Sequence, residues 1–364
     1  MVHINEWIKL LWLLFISILL IFSFLRLYLT RWWERRDENI DNKFNPDVKV
    51  IIPCKGLDID IENNIKSVLN QKYSKFKVIG VVDEETDPAY KILKNLGVNI
   101  LITDNRFKGS GKVRAISTAL SKIEMDNIVV LVDSDTSVGE NWLSYLINPL
   151  RDENVGAVST YPYYVPVEQN NFWGYVKKIW GYLGINMMEF KPARFVWGGS
   201  VAFRRSLLDG DNFRKFSESV SDDATITYVC KEKGLSIAYS RMATPIVKVR
   251  ETRGTFMEWS NRQMAISLSY AKYAFVTGIL MYGIIISYVL ILIPLSIFVW
   301  NLFALGYVPY LFAFYVNVKR DRSHIWKTLI ITLIMPFIFM ENFLRGRNMA
   351  HIEWRGVKYS LKNK

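Results

Sequence analysis

From Tyr273 to Val318 the chain carries no charged side chain. In hydrocarbon, backbone N–H and C=O groups must be satisfied within the segment, so such a run has to be helical. It is about twice the roughly 20 residues that one helix needs to cross a bilayer. It is therefore expected to fold as a hairpin of two helices, turning near Pro294 or later, around "LGYVP" (305–309). A second run, uncharged from Leu10 to Leu25, makes Trp7 to Leu29 long enough for one span. A secretory signal would have a shorter apolar core and a small-residue cleavage site. This run instead passes into "RLYLTRWWERR" (26–36) and reads as a retained anchor. A third run, Thr328 to Met340, lies between Lys327 and Glu341 and contains Pro336. It is too short to cross alone and is expected to be re-entrant or interfacial.

The cations beside these runs set an orientation. Lys9 precedes the first run, whereas Arg26, Arg31, Arg35, Arg36 and Lys43 end or follow it. The middle of the chain is thus expected in the cytosol, with "KRDRSH" (319–324) on the same side. The basic tail "LRGRNMAHIEWRGVKYSLKNK" (344–364) stays there if 328–340 does not cross. Net charge is +12, but the basic residues sit mainly beside apolar segments. Anionic headgroups explain them more simply than nucleic acid. The two cysteines, Cys54 and Cys230, are far apart, no CxxC exists, and a disulfide is not expected in the cytosol.

Between residues 44 and 254 the pattern changes. "VKVIIP" (48–53), "FKVIGVVD" (76–83), "VNILITD" (98–104) and "VVLVDSDTSV" (129–138) read as strands. Between them, "IENNIKSVLNQ" (61–71), "PAYKILKNLG" (88–97) and "KVRAISTALSKI" (112–123) have helical spacing, the second with Pro at its start and Gly at its end. This alternation predicts an α/β domain with a largely parallel sheet covered by helices. Ligands in such sheets bind beyond the carboxyl ends of the strands. Asp83, Asp133 and Asp135 fall at those ends.

The three histidines, His3, His324 and His351, lie outside this region, so its acid–base groups must be carboxylates. Asp-Ser-Asp (133–135) after a buried strand suits a hard cation such as Mg²⁺ or Mn²⁺; a polar turn has the same composition. "KGSGK" (108–112) is not a Walker loop, because Arg106 and Val113 stand where Gly and Ser or Thr are required. Lys112 is left as a lone cation that could meet a phosphate, or as a lysine facing water at a helix start. In "SVSDDATITYVCKEKG" (219–234), Asp222 and Asp223 precede an apolar helical stretch, where capping alone would also favour them. "FVWGGSVAFRRSLL" (195–208) holds a Gly-Gly pair suited to a tight turn or to a backbone passing close to a ligand.

Taken in order, these segments resemble the membrane-bound, inverting family-two glycosyltransferases, most nearly the ceramide glucosyltransferase-like group. "VKVIIPCKGLDIDIENNIKSVLNQKYSKFKVIGVVDEETDPAY" is similar to the family's opening, with its Pro-x-x-Gly turn and Asp-Pro-Ala segment. "VLVDSDTSV" resembles its second aspartate motif, "FVWGGSVAFRRSLLD" its acceptor-side segment, and "SDDATITYVCKEKGLSIAYS" its third aspartate motif. "IEWRGVKYSL" (352–361) resembles its closing tail. The resemblance implies a GT-A fold, Rossmann-like with a mostly parallel sheet, carrying N-terminal and C-terminal transmembrane helices. It implies a nucleotide-sugar donor, usually UDP-glucose, a membrane lipid acceptor and a role in glycolipid biosynthesis.

Carried over residue by residue, Asp83 and Asp87 are rival positions for the aspartate that holds the uridine. The strand end favours Asp83 and the ceramide branch Asp87. Asp133 and Asp135 would bind UDP and Mg²⁺ or Mn²⁺, and Asp223 would be the base. Pro53, Lys55, Gly56 and Lys112 join the donor side; Trp197, Gly198, Gly199 and Asp222 join the acceptor side. The family's Gln/Arg-x-x-Arg-Trp motif departs here. In "FMEWSNRQMAIS" (256–267) Arg262 fits the first position, but Ala265 and Ile266 replace Arg-Trp. Its donor and acceptor roles would shift to Arg262, Gln263 and Trp259, on a helix that could equally be a plain amphipathic anchor.

The expected organisation is an anchor with a basic segment (1–43), a cytosolic catalytic domain (44–254), an interfacial amphipathic helix (255–272), a transmembrane hairpin (273–318), and a basic loop, re-entrant or interfacial segment and cytosolic tail (319–364). The expected reaction is inverting transfer of a hexose to a lipid hydroxyl. Transfer to a polyprenyl phosphate is the main alternative. Polysaccharide synthesis, which would need more spans, and a degenerate scaffold rank below it.

Overall fold

In this computed structural model the described residues are 6–34, 40, 43–271, 273–320, 322, 324–354 and 357–361. Arg35 and Arg36 of the orienting cluster, and Arg355 and Gly356 of the tail motif, lie outside them. The chain divides into two compact units. One comprises residues 36–169 and 183–250; the other comprises 1–35, 170–182 and 251–364.

Helix α1 (Glu6–Glu34) runs through the expected N-terminal anchor. The first unit then shows the expected alternation: β1 (Val48–Pro53), α2 (Ile61–Leu69), β2 (Phe76–Val82), α3 (Pro88–Asn95), β3 (Asn99–Ile102), α4 (Gly111–Leu120) and β4 (Ile128–Val132). After these come β5 (Thr136–Ser137), α5 (Trp142–Ile147), β6 (Val155–Ser159), β7 (Tyr163–Pro166), α6 (Phe172–Glu189), β8 (Ser200–Arg204), α7 (Gly210–Ser217), α8 (Asp222–Glu232), β9 (Ser236–Tyr239) and β10 (Ile246–Val249).

Seven strands form one sheet in the order β3-β2-β1-β4-β8-β6-β9. All its pairings are parallel except those of β8, which runs against both β4 and β6. Alternate side chains along a strand point to opposite faces, and here both faces are cores. Val50, Ile52, Val130 and Val132 enter one core with Ile65 of α2, Leu93 of α3 and Trp142 of α5. Ile51, Val129 and Leu131 enter the other with Ile116 of α4, Phe203 and Val229 of α8. Helices on both faces are why β1 and β4 read as unbroken apolar runs rather than alternating ones. A second, three-stranded sheet, β5-β10-β7, stands where the main chain leaves β4. The sequence gives little sign of it because β5 has two residues.

In the second unit are α9 (Arg253–Tyr270), α10 (Tyr273–Pro294), α11 (Val308–Arg320), α12 (Ile325–Arg347) and the hairpin of β11 (His351–Trp354) with β12 (Val357–Ser360). The expected hairpin at 273–318 is present. Helix α10 continues through a π turn to Val299, the backbone extends at Trp300, and the chain returns through a 3₁₀ segment into α11. Tyr288 and Tyr307 donate hydrogen bonds to the carbonyls of Gly306 and Val289, at 3.1 and 2.9 Å, which fixes the antiparallel register. The reversal therefore falls between Pro294 and the 305–309 segment.

Helix α12 is longer than the apolar run 328–340 that marks it in the sequence. By length and composition it is one of three described segments able to cross a membrane, with Tyr273–Val299 and Asn301–Arg320. Its contacts show its path. Asn317 of α11 donates to Thr332 at 3.2 Å, whereas Phe343 packs where a Cβ on Gly278 of α10 would be. Phe343 and Phe339 of α12 lie against Gly278 and Tyr282 of α10 in turn, so this stretch packs along α10 in the opposite direction.

Helix α9 differs from the amphipathic anchor expected. Its buried face carries Ser260 and Asn261 beside Phe256, Met264, Ala265 and Leu268. Asn342 of α12 satisfies those polar groups. Its Nδ2 donates to Ser260 Oγ at 3.0 Å and to Asn261 Oδ1 at 2.8 Å, and its Oδ1 accepts from Trp180 Nε1 at 3.0 Å. Trp180 lies in the first part of α6, a stretch that the sequence suggests belongs to the catalytic domain. It packs instead with Trp259 and Phe339, at ring distances of 4.8 and 5.6 Å.

Candidate active site

The site forms where β1, β2 and β4 end. Beyond β1, Pro53 leads into a turn whose Gly56 has φ 68°, a conformation that favours glycine. The Gly56 N–H donates to both carboxylate oxygens of Asp87, each at 3.0 Å, and Asp87 also accepts from the Ala89 N–H at 2.8 Å as the N-cap of α3. Asp87 therefore pins the turn to the helix. Asp83, at the end of β2, is half-buried and pairs with Lys55 at 3.1 Å. The two rival aspartates hold different posts: one staples backbone and the other pairs with Lys55 just beyond the end of β2.

At the end of β4, Ser134 turns inward, and its hydroxyl donates to Asp58 at 2.6 Å. Asp133 and Asp135 flank it, half-buried. Lys112 stands in the first turn of α4, which Ser110 caps by accepting from the Val113 N–H. It does not face water. Its ammonium is buried against Asp133 at 2.7 Å and Asp222 at 3.1 Å. One lysine so ties the second aspartate motif to the third. Burial lowers its pKa, but the charges of Asp133 and Asp222, with the Asp133 hydrogen bond and Asp223, outweigh that and the net shift is upward. Burial raises the Asp133 pKa, Lys112 opposes the rise, and the like charges of Asp135 and Asp222 add to it; the net shift is upward.

Asp222 and Asp223 open α8. Asp222 is buried, and a Cβ on Gly198 would lie 2.2 Å from its Oδ2. On Gly199 a Cβ would strike the Trp197 indole, also at 2.2 Å. Neither glycine has positive φ; the pair supplies space, and that space is filled by a carboxylate and a ring. Asp223 accepts from the Ala224 N–H at 2.7 Å and from the Ser221 hydroxyl. Burial and the neighbouring Asp222 raise its pKa above the ordinary carboxylate value, against the opposing pull of Ser221, Lys112 and the Ala224 N–H.

Asp133, Lys112 and Asp222 are thus in direct contact, and Asp223 is adjacent in α8. Arg262, Gln263 and Trp259 belong to the second unit. There the Arg262 guanidinium donates to the Glu353 carbonyl of β11 at 3.2 Å, and the Trp259 ring lies 4.3 Å beneath the Lys177 ammonium. Lys177 in turn pairs with Glu251 at 2.6 Å. Two side chains missed from the sequence, Tyr161 and Tyr164, are buried in the first unit beside Trp197. The signal for them was "YPYYVP" (161–166), three tyrosines in four residues beside two prolines.

Among the described residues, no three His, Cys, Asp or Glu side chains are arranged to hold a metal ion. Asp133 and Asp135 nevertheless fit one as a pair. They are hard oxygen donors whose mutual repulsion a cation would relieve, with diphosphate oxygens left to complete the shell.

A mostly parallel sheet with carboxylates at its strand ends defines a GT-A glycosyltransferase. The chain belongs to glycosyl transferase family 21, whose sequence model matches residues 12–364. It is an enzyme that transfers sugar. A mannosyltransferase from Pyrobaculum calidifontis, solved in complex with GDP-mannose and Mn²⁺, shares the fold with a TM-score of 0.52 at 16% identity, over 92% of this chain and 99% of that one. Glucosyl-3-phosphoglycerate synthase from Mycobacterium tuberculosis, in complex with Mn²⁺, UDP and its product, is similar over 63% of this chain and 81% of its own, with a TM-score of 0.43 and 18% identity. An N-acetylglucosaminyltransferase from Neorhizobium galegae is 29% identical over 131 residues, which are 34% of this chain and 30% of that protein. The match therefore spans less than a third of that relative's length.

Proposed function

We propose that the protein transfers a hexose, glucose in the first instance, from its UDP derivative to the hydroxyl of a membrane lipid, with inversion at the anomeric carbon. The observation that carries this reading is the Lys112 bridge. It brings Asp133, at the donor end of the sheet, into one cluster with the Asp222–Asp223 pair at the start of α8. An inverting transfer needs a leaving-group end and a base on opposite faces of one sugar. A carboxylate cluster is also poorly suited to an acceptor that is itself a phosphate, which favours a neutral hydroxyl.

Asp83 hydrogen-bonds the uracil, while Asp87 holds the Gly56 turn against which the nucleotide rests. Asp133 and Asp135 would hold a Mg²⁺ or Mn²⁺ ion, which when bound offsets the charge of the departing diphosphate. Lys112 holds Asp133 and Asp222 in place. Asp223 takes the proton of the attacking hydroxyl, and its raised pKa suits it to that task. Trp197 with Gly198 and Gly199 borders the acceptor. The apolar helices of the second unit hold the protein in the membrane where the lipid is, with the α/β unit on the cytosolic side.

The test is incubation of the purified protein with a panel of labelled nucleotide sugars, with and without membrane lipid, followed by mass spectrometry of the lipid fraction. A lipid carrying one added hexose is expected. Excess chelator should abolish its formation and Mn²⁺ or Mg²⁺ should restore it. Label released only as free sugar, or full activity in chelator, would count against the lipid acceptor or the metal respectively.

A further inference from the structure

A continuous aromatic wall joins the two acid groups of the first unit. Tyr161 follows β6, and the neighbouring Thr160 N–H donates to the Ser200 carbonyl just beyond the Gly-Gly pair. The Tyr161 ring lies 6.2 Å from Trp197 and 6.0 Å from Phe195. Trp197 fills the space that Gly199 leaves, next to the Gly198–Asp222 contact. Tyr164 stands edge-on to Tyr161, with 6.4 Å between ring centroids. In the small sheet Tyr164 pairs with Val247, which pairs with Thr136, the residue after Asp135. The path from Asp222 to Asp135 thus runs through Trp197, Tyr161 and Tyr164.

The wall is rigid by construction. A Cβ on Gly184 of α6 would lie 2.3 Å from the Tyr161 ring, so that ring occupies a place made for it. The Trp197 N–H donates to Ser159 Oγ at 2.8 Å. A purely apolar core would not place two phenol hydroxyls there, since each buried hydroxyl costs free energy unless it is paired. Phe195, next in the same cluster, shows that a plain ring is tolerated. Burial raises both phenol pKa values, with Asp223 adding to the rise at Tyr161 and Asp135 and Asp133 at Tyr164. A phenol is a hydrogen-bond donor at neutral pH, which a phenylalanine ring is not.

We infer that Tyr161, Tyr164 and Trp197 form the wall against which the donor's sugar ring lies, the two tyrosine hydroxyls fixing its hydroxyl groups between Asp133–Asp135 and Asp223. This inference rests on the donor site proposed above. The half-exposed Trp197 ring suits the C–H face of a pyranose, and the phenols behind it suit its hydroxyls. The surrounding carboxylates repel an anionic sugar, so the wall selects neutral hexoses over uronic acids. Tyr161 and Tyr164 are specificity residues for the sugar, with no part in binding the nucleotide.

The experiment compares the full-length wild type with Tyr161→Phe and Tyr164→Phe, which keep the rings. Binding of UDP, UDP-glucose and UDP-glucuronate is measured by calorimetry in Mn²⁺, alongside turnover. Wild type is expected to bind UDP-glucose more tightly than UDP, and at least about tenfold more tightly than UDP-glucuronate, a difference of roughly 1.4 kcal/mol. Each variant should bind UDP within about twofold of wild type, which also shows that it is folded. Each should lose the advantage of UDP-glucose over UDP and about tenfold or more in kcat/KM. Variants that keep that advantage and wild-type kcat/KM would overturn the wall and leave the donor site standing. A wild type that binds no UDP would overturn the donor site, and the wall with it.

Discussion

Asp222 and Asp223 are neighbours with different surroundings, and the difference suits them to different work. Asp222 is buried against Gly198 and held by Lys112 at 3.1 Å. Asp223 is hydrogen-bonded by Ser221 and the Ala224 N–H in the first turn of α8, where the helix dipole favours a carboxylate. Replacing Asp223 with Asn should lower turnover by about 10² to 10⁴, roughly 3 to 5 kcal/mol of barrier, and leave UDP affinity within a few-fold. The sign of the pH effect follows from the same surroundings. A base must be ionised to accept a proton, and burial with Asp222 holds Asp223 protonated to higher pH than an ordinary carboxylate. The acid limb of kcat should therefore lie above the usual carboxylate range in wild type and be missing from the residual rate of the Asn variant. An unchanged limb in that variant would assign the base elsewhere. The places of these carboxylates were legible in the sequence, because carboxylates at strand ends and helix starts stand out when no histidine is near. The role of Lys112 was not. Its partners lie 21 and 110 positions away, and a lysine in a first helical turn looks solvated.

Element by element, the departure at Ala265 and Ile266 has a packing cause. Ala265 is 2% exposed on the buried face of α9, and a Cβ on Gly346 of α12 would lie 3.0 Å from its backbone nitrogen. A long cationic side chain has no room there. Ala265→Arg, which restores the family's residue, should destabilise the protein by about 1–3 kcal/mol or more through overpacking. Thermal unfolding in detergent would show it as a lower midpoint; an unchanged midpoint with raised activity would contradict this. The close approach pairs residues 81 positions apart, so it leaves no local pattern. The strands show the opposite case. β1 and β4 are covered by helices on both faces, and that burial writes itself as contiguous Val, Ile and Leu. β5 and β10 are held by cross-strand pairing in a short sheet, and nothing local marks them.

For the whole molecule, the open matter is the course of the last helix. Its 23 residues suffice to span, while the basic tail that follows it favours the side on which the other cations lie. It then leads to the β11–β12 hairpin, whose Glu353 carbonyl binds Arg262 of α9. A cysteine at Ser360, in a chain with Cys54 and Cys230 replaced, should therefore resist an impermeant thiol reagent in intact cells. Ready labelling would mean that α12 crosses. Hydropathy alone could not decide this, because a run of apolar residues records what is dry and not its tilt. The division into units was hidden for a related reason: aromatic and apolar residues run along the whole of α6, so its first part carries no mark of packing with Trp259 and Phe339.

The central claim is base-assisted, inverting transfer to a lipid hydroxyl, and the product's linkage tests it most directly. Glycolipid made from an α-linked UDP-hexose should show the β configuration by NMR and survive mild acid as a simple glycoside. An α-linked product would contradict inversion. A mild-acid-labile product would show a phosphate acceptor and replace the hydroxyl with a polyprenyl phosphate.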